Sequence, residues 1–505
     1  MSGHTITACR LLSAPERLRA NGADDALWDI HIDGSIITAV VPAGSQPPTG
    51  AVTDGHGLLA TPGWINGHTH SHEGFHKGRY DNVPLELWMN NVRPLQPLPW
   101  TPRRVYLRTL IGAIDALRSG TTTICDDMNA SPVLEPELVE AAMQAYEDLG
   151  IRALVGITLF DKPFFRALPF VEEEFDPGLL QSLDATRATP AGEYLAYAET
   201  LARNRHPRRS RVGYLATPSA PQRCTPEFLL QVRDLADRHA LPLITHVQET
   251  RLQVVTGQVL YGCSMVEHLH RIGFLKPGTS LIHGVWLTPL DIERLAASGA
   301  SVQHNPQSNL KLGSGIAPVA AMLAGGVNLS LGTDGCGSIE HTSMLKAMQS
   351  MALIHKVRGD DYARWVGADD AFRAATTGGA KALGLDDMLG QLRPGLRADI
   401  SLWRTDTIPF TPLNDALRQL VFNEGGSSLA AVFVDGEQVM QDGRLTRIDE
   451  AALMAEIGET WRELAPAIAD REERVAGLFP SYLRIWDRCR ATPIDPANHP
   501  ARLGA

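Results

Sequence analysis

One theme recurs along the chain: a short apolar run, a polar tip, then a stretch with helical spacing. The runs are "LLATPGWING", "TTTICDD", "IRALVGITLF", "RVGYLATPS", "LPLITHVQE", "TSLIHGVW", "ASVQHNP" and "VNLSLGTDG". Short, nearly continuous apolar runs of this kind suit strands buried on both faces. Helix-like stretches such as "TPRRVYLRTLIGAIDALRSG", "TPEFLLQVRDLADRHA" and "TPLDIERLAASGA" open on Thr-Pro. Threonine there serves as N-cap, and proline fits the first turn, where its missing N–H is not needed. Eight strand–helix units in succession predict an α/β chain folded as a (β/α)8 TIM barrel.

A barrel does not use all 505 residues, and single cores rarely grow that large. "LWDIHIDGSIITAVVPAG" near the start and "LAAVFVDGEQVMQDGRLT" near the end both read strand, Asp-Gly turn, strand. Joined, they predict a small β-sandwich domain built from both chain ends. The expected division is residues 1–59 plus 389–447 for that composite domain, 60–388 for the barrel, and 448–505 for a helical C-terminal extension. In the extension, "DEAALMAEIGETWRELAPAIADREERVAGLF" repeats apolar residues at helical spacing, as a packing arm does.

Hydrophobic residues make up 44% of the chain and charged residues 20%, with a net charge of −11. That balance, with no basic stripe, argues against nucleic acid and acidic membrane surfaces as partners. Six cysteines lie far apart with no CxxC spacing. "MSGHTITACRLLSAPERLRANG" lacks the apolar run of a signal peptide, and no apolar stretch is long enough to span a bilayer. A cytoplasmic protein with reduced thiols is the expectation.

The reactive residues cluster by position. His68 and His70, Asp126 and Asp127, His246 and Glu249, His283, His304 and Asp334 all fall at or just past the ends of the apolar runs. In a barrel of parallel strands that rim is where catalysis is built. His68 and His70 are two apart on a strand, so both imidazoles face the same way. His246 ends the fifth run and Asp334 the eighth, and in a closed barrel these can meet the first. Three imidazoles and a carboxylate suit Zn²⁺, and Fe²⁺ accepts the same set. In "WINGHTHSHEGFH", His72 and His76 follow the pair where the chain turns into a loop. Neither is expected to be a ligand; both read as pocket, loop-lid or surface residues.

The ordered set "PGWINGHTH", "GTTTICD", "THVQET", "LIHGVWL", "HNPQSNLKLGSGIAPV", "LGTDG" and "GLRADISLW" resembles the amidohydrolase superfamily, in its branch of mononuclear deaminases and triazine hydrolases. The resemblance spans about residues 10–445. It implies one divalent metal ion per chain, held at His68, His70, His246 and Asp334, with Glu249 and His283 assisting proton transfer. Binuclear members bridge two ions through a lysine on the fourth strand; "RVGYLATPSAP" has none. Many relatives also carry a histidine at that strand's tip, where this chain has Ser219, so their substrates do not transfer directly.

The expected reaction is deamination of an amino-substituted nitrogen heterocycle of purine, pyrimidine, pterin or s-triazine type. Zn²⁺ lowers the pKa of its water to about 7, giving a hydroxide nucleophile. Asp334 would take the water proton, Glu249 would protonate a ring nitrogen, and His283 would hold the water or stabilise the oxyanion. The same site could instead remove an alkylamine or chloride, or open a cyclic amide. A catalytically silent scaffold is the non-enzymatic alternative. Substrate contacts are assigned to Trp88, Arg223, His304 and His76; the competing readings are packing for Trp88, a salt bridge for Arg223, support of a neighbouring site residue for His304 and a surface position for His76. A homo-oligomer fits the family.

Overall fold

The computed structural model describes residues 3–12, 26–92, 98–358 and 361–498. Most of the N-terminal stretch considered above, residues 1–2 and 13–25, and the last residues of the C-terminal extension, 499–505, lie outside the described residues.

Eight short parallel strands carry the middle of the chain: β1 (Trp64–Thr69), β2 (Thr121–Met128), β3 (Arg152–Ile157), β4 (Val212–Tyr214), β5 (Leu243–Val247), β6 (Thr279–His283), β7 (Ser301–His304) and β8 (Asn328–Leu331). They form two four-stranded sheets, β1-β2-β3-β4 and β5-β6-β7-β8. Just past β4, Ala216 bridges Leu243 of β5, donating to Pro242 O and accepting from Ile244 N, both at 3.0 Å. Just past β8, the N–H groups of Thr333 and Asp334 donate to His68 O of β1 at 3.2 and 3.0 Å. Nearly every strand residue is buried, which accounts for continuous apolar runs rather than alternating ones.

The Thr-Pro signals mark helix starts. Thr101, Thr225 and Thr288 cap helices Pro102–Leu117, Pro226–His239 and Pro289–Ser298 through their hydroxyls. At Thr288 the cap is reciprocal: Asp291 N donates to Thr288 Oγ1 at 3.1 Å, and Thr288 N donates to Asp291 Oδ2 at 2.9 Å. The connection from β3 to β4 is the long one, carrying helices Pro177–Asp184 and Ala191–Asn204.

Strands from both chain ends join in a nine-stranded sheet. Its hydrogen-bonded path is continuous because strand His4–Leu11 serves both halves. Residues 4–9 pair with Trp28–Asp33, residues 4–7 with Ala51–Asp54, and residues 10–11 with Leu58–Pro62. Strand Leu58–Pro62 then pairs with Ile400–Arg404, and that strand with Leu429–Val434. Ile6, Ile30 and Ile32 from one half share a core with Ile400, Leu402 and Phe433 from the other. Asp435-Gly436 has φ of 51° and 75° and Asp442-Gly443 has 49° and 76°, the paired positive values that two-residue hairpins need.

The nine-stranded sheet is tied to the parallel strands by a buried ion cluster and by stacked tryptophans. Arg152 of β3 reaches Asp399 Oδ2 from Nε at 3.2 Å, and its Nη2 meets Asp435 Oδ1 at 2.5 Å. Arg211 holds the other oxygen of Asp435 at 3.1 Å. Trp64 stacks on Trp403 with ring centroids 6.1 Å apart.

The C-terminal extension forms helices Glu450–Ala476 and Phe479–Ala491. Ion pairs hold the first of them to the chain after β1: Glu450 with Arg118 at 2.6 Å, Glu463 with Arg104 at 2.8 Å and Glu472 with Arg79 at 2.6 Å. Phe75 stacks on Trp461 at 6.2 Å. One expectation is corrected here. The segment with His72 and His76, expected as loop, is a 3₁₀ helix, Ser71–His76, buried throughout, because it packs on helix Pro102–Leu117 and is touched by the C-terminal helix at Phe75 and His76. Among the described residues no helix is long and apolar enough to cross a membrane.

Candidate active site

His68 lies inside β1 and His70 just past its end. Gly67 between Asn66 and His68 is a requirement of space: a Cβ there would collide with the Gln303 amide and Ser330 hydroxyl. Asn66 locks β1 to the end of β8, donating to Thr333 Oγ1 at 2.8 Å and accepting from Thr333 N at 3.1 Å. Three strand ends then enter the left-handed region. Gln248, His283 and Asp334 have φ of 48°, 75° and 70°. Such values are uncommon without glycine and gather at functional sites.

The ligating nitrogens of His68, His70 and His246 lie within 4.8 Å of one another. His70 Nδ1 donates to Asp127 O and His246 Nδ1 to Ser219 O, each at 2.8 Å. A donor at Nδ1 leaves the lone pair on Nε2, the form a metal requires. His68 is fully buried and neither ring nitrogen makes a hydrogen bond; its Nε2 stands 3.5 Å from Asp334 Oδ1, and His70 Nε2 stands 3.3 Å from the same oxygen. Buried polar atoms are normally paired, so an orphaned imidazole facing a carboxylate and two oriented imidazoles fits a cation among them. The donor set, three nitrogens and one oxygen, fits a divalent metal of the zinc type. His70, His72 and Glu73 form a second close group; His72 accepts from Asn129 N at 3.2 Å through Nδ1.

Asp334 is held from several sides. Its Oδ1 accepts from Gly335 N at 3.0 Å and its Oδ2 from the Ser308 hydroxyl. Burial pushes its carboxyl upward, but His68, His70 and His283 outweigh that and hold it well below the usual carboxylate range. His283 Nδ1 donates to Asn309 Oδ1 at 2.8 Å. Burial, the largest influence, takes its imidazole down to about 4, against the opposing pull of Asp334. His283 is therefore neutral at pH 7, with its lone pair on Nε2, 3.5 Å from Glu249 Oε2. Glu249 N donates to Gln253 Oε1 at 2.8 Å, and Ser314 Oγ approaches Glu249 Oε1 at 3.5 Å.

These groups line a cavity of about 50 Å³, with Trp88 and Arg223 on its wall. Trp88 donates to Gly337 O at 3.3 Å. Arg223 donates to Ser219 Oγ at 3.0 Å and lies 3.9 Å over the Phe160 ring. Met89, Phe164 and Arg223 also border a larger cavity of about 390 Å³, whose wall includes Phe160, Phe165 and Tyr194 from the long β3–β4 connection.

His304 and His76 are placed elsewhere. His304 Nε2 sits 3.1 Å from His355 Nε2 behind the site, and burial pushes its pKa well below the ordinary value. His76 faces a separate cavity beside Arg471. Asp126 is buried, accepts from Ser71 N at 2.8 Å and Tyr146 OH at 3.0 Å, and is pushed by burial up to about 6. Residue reading passed over Ser308, Asn309 and Gln253. In "HNPQSNLK" Asn305, Ser308 and Asn309 stand three and four apart across helix Pro306–Lys311, a spacing that puts them on one face.

Residues 59–439 match the Amidohydrolase family. A 5-methylthioadenosine/S-adenosylhomocysteine deaminase of Desulforudis audaxviator (strain MP104C) is 31% identical over 449 residues, 88% of this chain and 96% of that one. The crystal structure of an adenosine deaminase from Xanthomonas campestris with bound zinc superposes with a TM-score of 0.78 at 27% identity, covering 91% of this chain and 98% of that one. Atrazine chlorohydrolase from Arthrobacter aurescens TC1, complexed with zinc, shares the fold, with a TM-score of 0.80 at 24% identity over 91% of this chain and 100% of that one. The matched residues take in all eight parallel strands and run on into the sheet made from the chain ends, and on that extent the chain belongs to the amidohydrolase family.

Proposed function

We propose that this chain is a zinc-dependent deaminase of adenine nucleosides, with a pocket that accepts a substituent beyond the ribose. It is a hydrolase of carbon–nitrogen bonds that deaminates a heterocycle, as its deaminase relatives are. The observation that carries the reading is the convergence of Asp334, His283 and Glu249 on one small cavity beside the three-imidazole cluster. The 390 Å³ cavity next to it supports a substrate larger than a bare ring.

His68, His70, His246 and Asp334 would hold one zinc ion. When bound, the cation supplies Lewis acidity, which makes a water molecule ionisable near neutral pH. The chain's own residues handle the protons. Asp334 accepts the proton of the water that adds to C6 of the purine, while the neutral Nε2 of His283 accepts a hydrogen bond from that water. Glu249 donates a proton to N1, which makes C6 more electrophilic. Collapse of the tetrahedral carbon breaks the C6–N bond: the amine takes the proton from Asp334 and leaves as ammonia, the new C6 hydroxyl returns its proton to Glu249, and the 6-oxo product remains. Water plus adenosine thus gives inosine plus ammonia. Trp88 and Arg223 would border the substrate, whereas His76 and His304 act at a distance from it.

The reading includes a closed (β/α)8 barrel with the small β domain of residues 1–59 and 389–447, a barrel of 60–388 and the extension 448–505, working in the cytoplasm as a homo-oligomer. The junctions Ala216–Leu243 and His68–Asp334 support closure. The experiment is ammonia release from adenosine, 5′-methylthioadenosine, S-adenosylhomocysteine, guanine, a pterin and atrazine, using zinc-loaded protein. Ammonia from the adenine nucleosides is expected. Chloride or alkylamine release from the triazine, without any nucleoside turnover, would replace this reading.

A further inference from the structure

Beside the site lies a third cavity, of about 60 Å³, whose wall carries Arg108, Arg471, His76, Trp100, Ser131 and one carboxylate, Glu135. Two guanidinium groups border it, both almost fully buried: Arg108 is 3% exposed and Arg471 6%. Arg108 comes from helix Pro102–Leu117 and Arg471 from the C-terminal helix Glu450–Ala476. Buried arginine normally sits against a carboxylate, because an unpaired charge taken from water costs several kcal/mol. Here, among the described residues, neither forms an ion pair, and Nε of each is without a hydrogen-bond partner. Arg108 lies 4.3 Å over the Trp100 ring. Asp126, the acid that acts on Arg108 from a distance, is committed to Ser71 and Tyr146. Arg471 donates to Asn91 O and, at 3.3 Å, to His76 Nε2; Glu472, the acid that acts on it from a distance, is committed to Arg79 and Tyr80.

The contact between Arg471 and His76 fixes a third donor. His76 Nε2 is the acceptor, so the imidazole proton is on Nδ1, which is buried and unpartnered. Burial, then Arg471, Arg79 and Arg108, hold this imidazole down to about 3, so it is neutral and keeps that tautomer. Arg108, Arg471 and His76 thus all border one cavity, and each keeps one buried N–H without a partner. The cavity's volume admits about four waters at ~15 Å³ each, or one compact polyatomic group.

We infer that this cavity is a binding site for a small oxyanion, a phosphate or a carboxylate, held by Arg108, Arg471 and the Nδ1–H of His76. Planar guanidinium forks match the oxygen spacing of both groups. The anion would give the two guanidinium groups a charged partner in direct contact, outweighing the single carboxylate of Glu135 on the same wall. It would also fasten the C-terminal helix to the segment that follows His70, since its holders come from each. Two sources supply the same chemistry: a free anion, or the carboxylate end of a substrate chain entering past Ser131 and Pro132, which border both this cavity and the 390 Å³ one. Only the second source rests on the nucleoside reading.

The first arm needs no turnover. Thermal unfolding of the full metal-loaded chain is followed against inorganic phosphate, acetate and, at matched ionic strength, chloride. Phosphate is expected to raise the midpoint in step with the logarithm of its concentration while chloride does not, and Arg471→Gln and Arg108→Gln should each remove the response. If Arg108→Gln fails to fold, Arg471→Gln and Arg471→Lys carry the comparison, lysine restoring part of the effect. The second arm compares KM for adenosine with KM for an adenosine bearing a carboxylated 5′ chain. A ratio shifted at least tenfold by Arg471→Gln assigns the oxyanion to the substrate. A phosphate response that survives both substitutions overturns the site, as does no response together with an unchanged KM ratio. Failure of the nucleoside reading shows separately, as absence of adenosine turnover.

Discussion

Asn309 Oδ1 accepts from His283 Nδ1 at 2.8 Å, and this contact turns the lone pair of the imidazole toward Glu249 and the cavity. Partners of this kind, one bond removed from the chemistry, typically matter by 10–100-fold. Asn309→Leu should therefore lower kcat by about 10–100-fold with little change in KM. Asn309→Asp should place a negative charge against Nδ1, raise the His283 pKa and move the acid limb of the kcat profile upward. Steady-state kinetics across pH on both variants checks this, and an unshifted profile in Asn309→Asp would count against a neutral His283.

Asp334→Asn removes the charge that faces His68 and His70 while keeping the shape. Turnover should disappear and bound zinc should fall. Glu249→Gln should instead keep its metal and lose about 10²–10⁴-fold in kcat, the usual size of a proton-transfer contribution. Metal analysis alongside ammonia assays separates the two.

Chelation of the purified chain should abolish activity, and zinc should restore it at a stoichiometry near one per chain. The apo protein should also melt earlier, because a ligand that binds only the folded state stabilises it by mass action. Metal titration with activity and calorimetry as parallel readouts tests both statements; restoration that saturates only at two ions would point to the His70, His72 and Glu73 group.

Arg152→Met should be among the most damaging changes away from the site. It strands Asp399 in the seam between the parallel strands and the nine-stranded sheet and leaves Asp435 to Arg211. Breaking one side of a buried pair costs about 3–5 kcal/mol. Asp399→Asn should cost less, since the amide still accepts. Urea denaturation of both variants measures the difference.

Stability should fall on mild acidification. Burial, first among the causes, lowers His76 and His355 to about 3 and His341 to about 4. In the unfolded chain these titrate near 6.5, so below that pH the unfolded state binds more protons. Stability is full above about pH 6.5 and declines toward pH 4, each group contributing about 1.4 kcal/mol per pH unit. The urea midpoint at pH 5.5 should lie clearly below that at pH 7.5.

Much of the architecture was readable because parallel strands advertise themselves. Fully buried β2, with the apolar and aliphatic polar residues of "TTTICDDM", has no solvent face to alternate with. His68 and His246 were visible for the same reason: an imidazole at the end of an apolar run has few other tasks. Asp127 and Ser219 were less legible, because they orient His70 and His246 through backbone carbonyls, which any residue possesses. His76 was read as part of a loop because the elements that bury it, among them Gly337 and Arg471, stand hundreds of positions later. The 390 Å³ cavity had no signal either, since Phe160, Phe164 and Phe165 line it from a connection without periodicity.

The left-handed backbone at Gln248, His283 and Asp334 bears on any attempt to redesign this enzyme. A library randomised at those three strand ends would be screened twice, once by chemistry and once by a conformer that costs most side chains ~1–2 kcal/mol. β-Branched replacements would be eliminated before their reactivity was ever sampled. New specificity is therefore more accessible from the wall formed by Met89, Phe164 and Arg223, where the backbone keeps negative φ and most side chains are admissible.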